Sequence, residues 1–353
     1  MIKDDIYMQR CLELASKALG FVAPNPLVGV IIVNEDKIIG EGFHQEFGGA
    51  HAEVNAVNDA LRKHPASTIS NSTLYISLEP CSHSGKTPPC TDLIKSYNFK
   101  RVVIACEDPF EKVRGSGIEI LKNAGIDLEL NVLKSEAEFL NRRFITYHLK
   151  KRPYIILKYA QSKDHFLAAK IPEEKNRWIS NIYSRKLVHR WRSEEQAVMV
   201  GTNTARVDDP ALTLRDWPGK QPLRILLDRK LSLKQSAKLY DQTTGTLVFN
   251  ELKDSTTNNI EFIKMDFSKS IIEQICTILF DKSIQSVIVE GGQKLLQSFI
   301  DFGIWDEARI FTGDKILKTG LAVPELKGKL FSSQQIESDL LEIFYPYKIS
   351  DNV

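Results

Sequence analysis

The chain has 353 residues, long for one core and suited to two domains of ordinary size. Its 42% hydrophobic and 26% charged content excludes the disordered and fibrous classes. A formal net charge of +2 gives no case for a general nucleic-acid or membrane-surface binder, and no apolar run is long enough to span a bilayer. The opening MIKDDIYMQRCLELASKAL is acidic early and helically periodic, unlike a secretory signal, so the cytoplasm is the expected compartment. Five cysteines in so long a chain are not a disulfide framework. Cys11, Cys106 and Cys276 sit among apolar neighbours and read as buried thiols; Cys81 and Cys90 sit in a polar, proline-flanked loop.

Taken in chain order, residues 5–19 have the apolar spacing of an amphipathic helix. The run 27–33 is β-branched and apolar, and Asn34-Glu35-Asp36 supplies a turn into 37–42. From His51, Val54, Val57 and Leu61 recur at helical spacing. Residues 72–80 and 101–106 read as buried strands, Pro88-Pro89 starts a short helix, and a helix over 115–124 stops at Gly125. After a short basic junction at 148–153 the alternation resumes: strand 154–160, helix 181–192, and strands 197–201, 223–228, 246–250 and 286–292. The stretch 229–285 is otherwise poorly patterned. The two alternations do not repeat each other, so the reading is two different α/β domains, over 1–147 and 153–348.

His51-Ala52-Glu53 opens one helix, and Cys81 and Cys90 flank a loop that leads into another. Two thiolates and one imidazole suit zinc, and three protein ligands leave a fourth position for water, the mark of a catalytic and not a structural site. The positive ends of both helices favour negative charge there. Glu53, two residues past His51, is placed to carry protons without binding the metal. The pattern is the H-x-E and P-C-x-x-C signature of zinc deaminases, except that eight residues separate the cysteines.

The loop Glu79-Pro-Cys-Ser-His-Ser-Gly-Lys-Thr-Pro-Pro-Cys90, with Asn25-Pro26-Leu27-Val28-Gly29, resembles the bifunctional riboflavin-biosynthesis deaminase/reductase family. Further segments similar to that family are Leu157-Lys158, Trp178-Ile179-Ser180, Val200-Gly201-Thr202, Asp208 to Thr213 and Val289-Glu290-Gly291-Gly292. The resemblance implies a cytidine-deaminase-like α/β/α first domain and a dihydrofolate-reductase-like α/β second domain. It implies zinc-dependent deamination of a diaminopyrimidine bearing a phosphoribosylamino group, then NADPH reduction of the ribosyl chain to ribityl. It places Asn25, His44, His83, Lys86 and Asp108 around the deaminase substrate, where an amide reads a pyrimidine edge and a lysine meets a phosphate. It places Arg192, Leu212, Arg215 and Glu290 with the reductase substrate, and Gln161, Trp178, Thr204, Asp208, Gly291 and Gly292 with NADPH. A bidentate guanidinium suits phosphate, and glycines at a helix start let a cofactor phosphate approach.

Two positions depart from the family pattern. Its S-x-D-G reads Ser162-Lys163-Asp164-His165 here, and its D-P-N-P reads Asp108-Pro109-Phe110-Glu111, so Asp108 alone is carried over. Rival readings are a nucleic-acid deaminase, a zinc-stabilised binding protein, and a chain whose second domain is inactive. Near-neutral charge and the attached second domain argue against the first. A small phosphorylated pyrimidine is the expected partner, with no nucleic acid and no membrane, and related folds commonly self-associate.

Overall fold

The β-branched run after Pro26 is buried on both faces, and the first of two units is built around it. In a computed structural model the units span Met1–Lys151 and Arg152–Val353, and residues 3–83, 88–110, 114–170 and 178–347 are described. Strand β1 (Gly29–Asn34) turns through Glu35 and Asp36, both at positive φ, into antiparallel β2 (Lys37–Phe43). On its other side β1 pairs antiparallel with β3 (Thr73–Ile76), and β4 (Arg101–Ile104) and β5 (Asp127–Leu130) continue in parallel. The sheet order is β2-β1-β3-β4-β5.

Helices α1 (Lys3–Ser16), α2 (Ala52–Leu61), α3 (Ala66–Ile69), α4 (Cys90–Ser96), α5 (Ser116–Asn123), α6 (Lys134–Leu140) and α7 (Arg142–Lys150) complete the unit. The two-residue period of the strands decides which helices they meet. Val30, Ile32, Leu74, Ile76, Val102 and Ile104 pack against α2, α4 and α5. Ile31, Val33, Tyr75 and Val103 pack against α1 and α6. The result is an α/β/α layer. The basic junction expected at 148–153 begins inside α7, where cationic side chains suit the last helical turn. The strand expected over 72–80 ends at Ile76, which frees residues 77–81 to leave the sheet.

One contact sets how close α2 lies to the sheet. A Cβ on Gly42 would lie 2.3 Å from the Ala56 nitrogen and 2.5 Å from the Ala52 oxygen, and one on Gly40 would lie 2.5 Å from the Ala56 oxygen. Gly40 and Gly42 share one strand face, and Ala52, Ala56 and Ala60 share one helix stripe.

The second unit holds a ten-stranded sheet. Its strands are β6 (Tyr154–Gln161), β8 (Ala197–Gly201), β9 (Leu223–Leu227), β10 (Thr246–Asn250), β11 (Ser255–Thr257), β12 (Ile260–Lys264), β13 (Ser286–Val289), β14 (Glu307–Thr312), β16 (Lys329–Ile336) and β17 (Asp339–Tyr345). The order is β11-β12-β10-β9-β8-β13-β6-β14-β17-β16, parallel from β12 to β14 and antiparallel at both ends. A separate pair joins β7 (Phe166–Ala169) to β15 (Gly320–Ala322). Helices α8 (Ile182–Glu194) and α9 (Thr202–Asp208) cover one face; α10 (Ile271–Asp281) and α11 (Gln293–Asp301) cover the other. The stretch 229–285 is thus ordered around β10 to β12 and α10. Strand β13 stops at Val289, which leaves Glu290, Gly291 and Gly292 at its carboxyl end.

His165 stands at φ 63°, in the left-handed region, so the glycine-bearing turn of the family pattern is kept with a histidine in it. Ser162 Oγ accepts from the Phe166 N–H at 3.0 Å and donates to Asp164 at 2.7 Å, which closes the turn around that residue. For the α2–β2 contact, Gly42→Ala is expected to destabilise the first unit by about 1–3 kcal/mol, because the added methyl meets the α2 backbone at Ala52, Asn55 and Ala56. Chemical unfolding checks this; an unchanged midpoint would show that the contact has room to spare.

Candidate active sites

His51 is the N-cap of α2 and keeps an extended backbone, but its side chain does not cap the helix. The imidazole turns instead to the cysteines: Nδ1 lies 3.2 Å from Cys90 Sγ and 3.6 Å from Cys81 Sγ. Cys90 is the first residue of α4, after Pro89 at the N-cap, and its N–H donates to Cys81 Sγ at 3.3 Å. The three donor atoms lie within 4.8 Å of one another. A tetrahedral zinc with Zn–S of about 2.3 Å and Zn–N of about 2.0 Å separates sulfur from nitrogen by roughly 3.5 Å, so the donor set fits. Among the described residues no fourth His, Cys, Asp or Glu joins the cluster.

A hydrogen bond from Cys90 and one from His51 hold the Cys81 thiol well below its usual range. The same bond to Cys81, with burial, pushes Cys90 up. A divalent cation bound here would favour both sulfurs as thiolates. Glu53 is 4% exposed, and burial raises its carboxyl above the ordinary range. A carboxyl raised in this way holds a proton more readily than an exposed one.

His44 is buried at 3% exposure, and its two nitrogens are committed. Nδ1 donates to the Ala50 carbonyl at 3.0 Å, so Nε2 accepts from the Asn25 amide at 3.0 Å. That bond leaves the Asn25 Oδ1 and its second N–H to face a ligand. Burial lowers the His44 pKa, which keeps Nε2 an acceptor. Asp108 is buried, and burial raises its carboxyl to about 6. His83 is exposed, with its ring 6.5 Å from that of Phe110. Phe110, which stands where the family pattern has an amide, stacks 5.0 Å from His148. An aromatic cluster with Phe144 and Tyr147 therefore occupies this side of the unit in place of a hydrogen-bonding group. Lys86 lies outside the described residues.

In the second unit Arg192 and Glu290 meet as a bidentate pair, at 2.6 and 2.8 Å. The third Arg192 nitrogen donates to the Thr213 carbonyl at 3.3 Å, so its fork faces Glu290 where an open phosphate seat was expected. Lys158 Nζ stands 3.8 Å from Glu290 and had no role assigned from sequence. The signal was present: one lysine inside the buried apolar strand YIILKYA. Burial pulls Lys158 below its usual pKa. Burial alone would raise Glu290, but Arg192 and Lys158 override it and hold the carboxyl at about 2. Arg215 is exposed beside α8, where its neighbour Asp216 lies 3.6 Å from His189. Leu212 is buried in the core, with its backbone in the left-handed region at φ 55°.

At the carboxyl ends of β8, β9 and β13 a cavity of about 530 Å³ is lined by Gly201, Thr202, Thr204, Gly291 and Gly292 among others. Ligands of parallel sheets sit at such ends. Gly292 caps α11 at φ 77°, and a Cβ on Gly291 would lie 2.9 Å from Thr204 Cγ2. The glycines let α9 and the start of α11 close on the cavity, and the α11 N–H groups suit an anionic cofactor such as a dinucleotide. Trp178, Asp208 and Gln161 do not line it. Trp178 is half exposed under Arg185, Asp208 ends α9, and Gln161 donates to Thr312 between β6 and β14.

The buried pair makes stability pH-dependent. The Glu290 carboxyl is depressed in the fold, so its contribution is full above about pH 4.5 and fades as pH falls through about 2. Glu290→Gln, which leaves Arg192 and Lys158 without a counter-charge, is expected to cost about 3–5 kcal/mol at neutral pH. Unfolding of both proteins across pH should show that gap narrowing below pH 4.5; a gap that stays constant on acidification would contradict the assignment.

Comparison with known proteins agrees with this geometry. Residues 1–106 match the model of the cytidine and deoxycytidylate deaminase zinc-binding region, and residues 153–341 match the RibD C-terminal domain. The riboflavin biosynthesis protein RibD of Aquifex aeolicus is 40% identical, over 92% of this chain and 90% of its own length. That of Escherichia coli is 32% identical, over 90% and 89%. A solved diaminohydroxyphosphoribosylaminopyrimidine deaminase/5-amino-6-(5-phosphoribosylamino)uracil reductase of Thermotoga maritima is 37% identical and superposes with a TM-score of 0.90, covering 98% of this chain and 99% of that one. The two-domain fold, deaminase-like and then dihydrofolate-reductase-like, is the one expected from sequence. With both domains matched in order and at nearly full length, the chain belongs to the RibD family of riboflavin biosynthesis proteins.

Proposed function

We propose that the chain carries out two successive steps on one small phosphorylated pyrimidine, hydrolytic deamination in the first unit and NADPH-dependent reduction of the ribosyl chain in the second. The observation that carries the reading is the three-donor cluster of His51, Cys81 and Cys90 beside the buried carboxyl of Glu53. When bound, zinc supplies Lewis acidity at the position those three ligands leave open. Glu53 takes a proton from the attacking water and returns it to the departing amine, so C–NH2 and water become C=O and ammonia. Asn25, oriented by His44, reads the pyrimidine edge with its free oxygen and N–H. Lys86, His83 and Asp108 complete the substrate pocket as the family pattern has them.

In the second unit the cavity at Gly201, Thr204, Gly291 and Gly292 holds NADPH, which supplies hydride when bound. By the family pattern Trp178, Asp208 and Gln161 serve the same cofactor. Lys158 holds a proton at Nζ for the ribose ring oxygen while C1′ is reduced, and Glu290 keeps that ammonium in place. Arg192 fixes Glu290, and Arg215 meets the phosphate, with Leu212 serving the same substrate as the family pattern has it. Among the described residues no helix is long and apolar enough to cross a membrane. Residence in the cytoplasm and self-association belong to the same proposal.

Ammonia release and NADPH oxidation from the diaminopyrimidine test both halves in one sample. Glu53→Gln is expected to keep its zinc, lose ammonia release by about 10²–10⁴-fold, and still oxidise NADPH when given the deaminated compound. Lys158→Met is expected to do the reverse. Ammonia release at the wild-type rate from Glu53→Gln would rule out the proton role, and NADPH left unoxidised by the wild-type chain would mean an inactive second unit.

A further inference from the structure

Glu79, two residues before Cys81, is buried at 3% exposure and takes no part in the chemistry described above. Its carboxylate accepts four backbone N–H groups. One oxygen takes Asp108 at 3.1 Å and Gly115 at 3.0 Å; the other takes Gly117 at 2.9 Å and Ile118 at 3.3 Å. Two oxygens with about four lone-pair sites are filled by those donors. Two of the four lie in the first turn of α5, where backbone N–H groups have no helical partner, and Gly115 at its N-cap has φ 76° with no side chain to cap them. Glu79 caps that helix from across the fold.

The contact continues past Glu79. A Cβ on Gly117 would lie 2.3 Å from the Pro80 oxygen, so the first turn of α5 sits directly on the peptide that precedes Cys81. Beyond Cys81, Ser82 Oγ and Ser116 Oγ are 2.5 Å apart. The start of α5 therefore grips the ligand-bearing segment two residues before Cys81 and one residue after it. By its bond to the Asp108 N–H, the same carboxylate ties down the loop that carries Asp108.

We propose that Glu79 is a positioning residue of the deaminase centre. Through the first turn of α5 it fixes the Cys81 sulfur for the metal and the Asp108 loop for the pyrimidine. This rests on the reading of the first unit as a zinc deaminase, but its test does not depend on that activity alone.

In Glu79→Gln the side chain keeps its shape and one oxygen, while its NH2 group confronts two of the four donors. Three measurements on the full chain follow: zinc release to a chelator, the steady-state constants for ammonia release, and NADPH oxidation on the deaminated compound. Loss of an outer partner of a metal centre costs about 10–100-fold, so zinc release is expected to quicken by about 10-fold and kcat/KM for ammonia release to fall by that range, mostly through KM. NADPH oxidation should stay within twofold, which shows that the second unit is intact. Ser116→Ala, which removes the hydroxyl bond to Ser82, should move zinc release in the same direction by a smaller factor, and it decides the matter if Glu79→Gln unfolds the first unit. Zinc release and KM both unchanged in Glu79→Gln, or release unchanged in Ser116→Ala, would overturn the proposal. A wild-type chain that binds zinc but releases no ammonia would defeat the deaminase reading and leave the zinc-release comparison to judge the grip on Cys81.

Discussion

The first unit depends on how closely α2 lies against β2. Gly40 and Gly42 remove side chains from one face of the strand, and Ala52, Ala56 and Ala60 keep the facing helix stripe small. Backbone then meets backbone, and the start of α2 is held at a fixed height above the sheet. His51 and Glu53 occupy that start, opposite Cys90 at the start of α4. Larger residues along this contact would lift α2 and separate Nδ1 of His51 from two sulfurs it meets at 3.2 and 3.6 Å. The donor spacing and the burial of Glu53 both follow from that height.

The second unit solves a related problem with charge. Lys158 is embedded in a strand whose neighbours on the same face, Tyr154 and Ile156, are apolar and buried. A buried ammonium of this kind is costly unless paired, and Glu290 supplies the partner from the end of β13. Arg192 reaches Glu290 from α8 and locks its two oxygens in one plane. The three groups join β6, β13 and α8 at the carboxyl edge of the parallel sheet, next to the cavity of Gly291 and Gly292. Both units thus place a largely buried titratable side chain, Glu53 in one and Lys158 in the other, beside the donor cluster or the cavity proposed to bind zinc or a nucleotide.

Much of this was legible in the sequence, and what was not has physical reasons. His51, Cys81 and Cys90 could be read because metal ligands are few in kind, and His51, Glu53 and Cys90 stood at helix starts marked by proline or by apolar period. The alternation of strands and helices was equally plain where strands are buried on both faces, as in β1 and β8. Arg192 was read as a phosphate ligand because nothing local reveals that its fork is filled by Glu290, 98 residues away. Glu79 was hidden for the same reason: its donors come from 108–118, and only the fold brings them to it. The region 229–285 lacked pattern because β11 has three residues and β12 sits near the sheet edge with alternate residues only half-buried. Strand β16, at the opposite edge, is open to solvent along nearly its whole length and carries no apolar period to find.

The first unit is proposed to hold an open metal site with three protein ligands, and X-ray absorption at the zinc edge of the zinc-loaded chain tests it most directly. The expected shell is two sulfur atoms at about 2.3 Å, from Cys81 and Cys90, with light atoms at about 2.0–2.1 Å from His51 and one solvent molecule. Replacing His51 with alanine should remove one nitrogen from that shell and leave both sulfurs. A shell of three or four sulfurs, or four protein donors with no solvent position, would contradict an open catalytic centre.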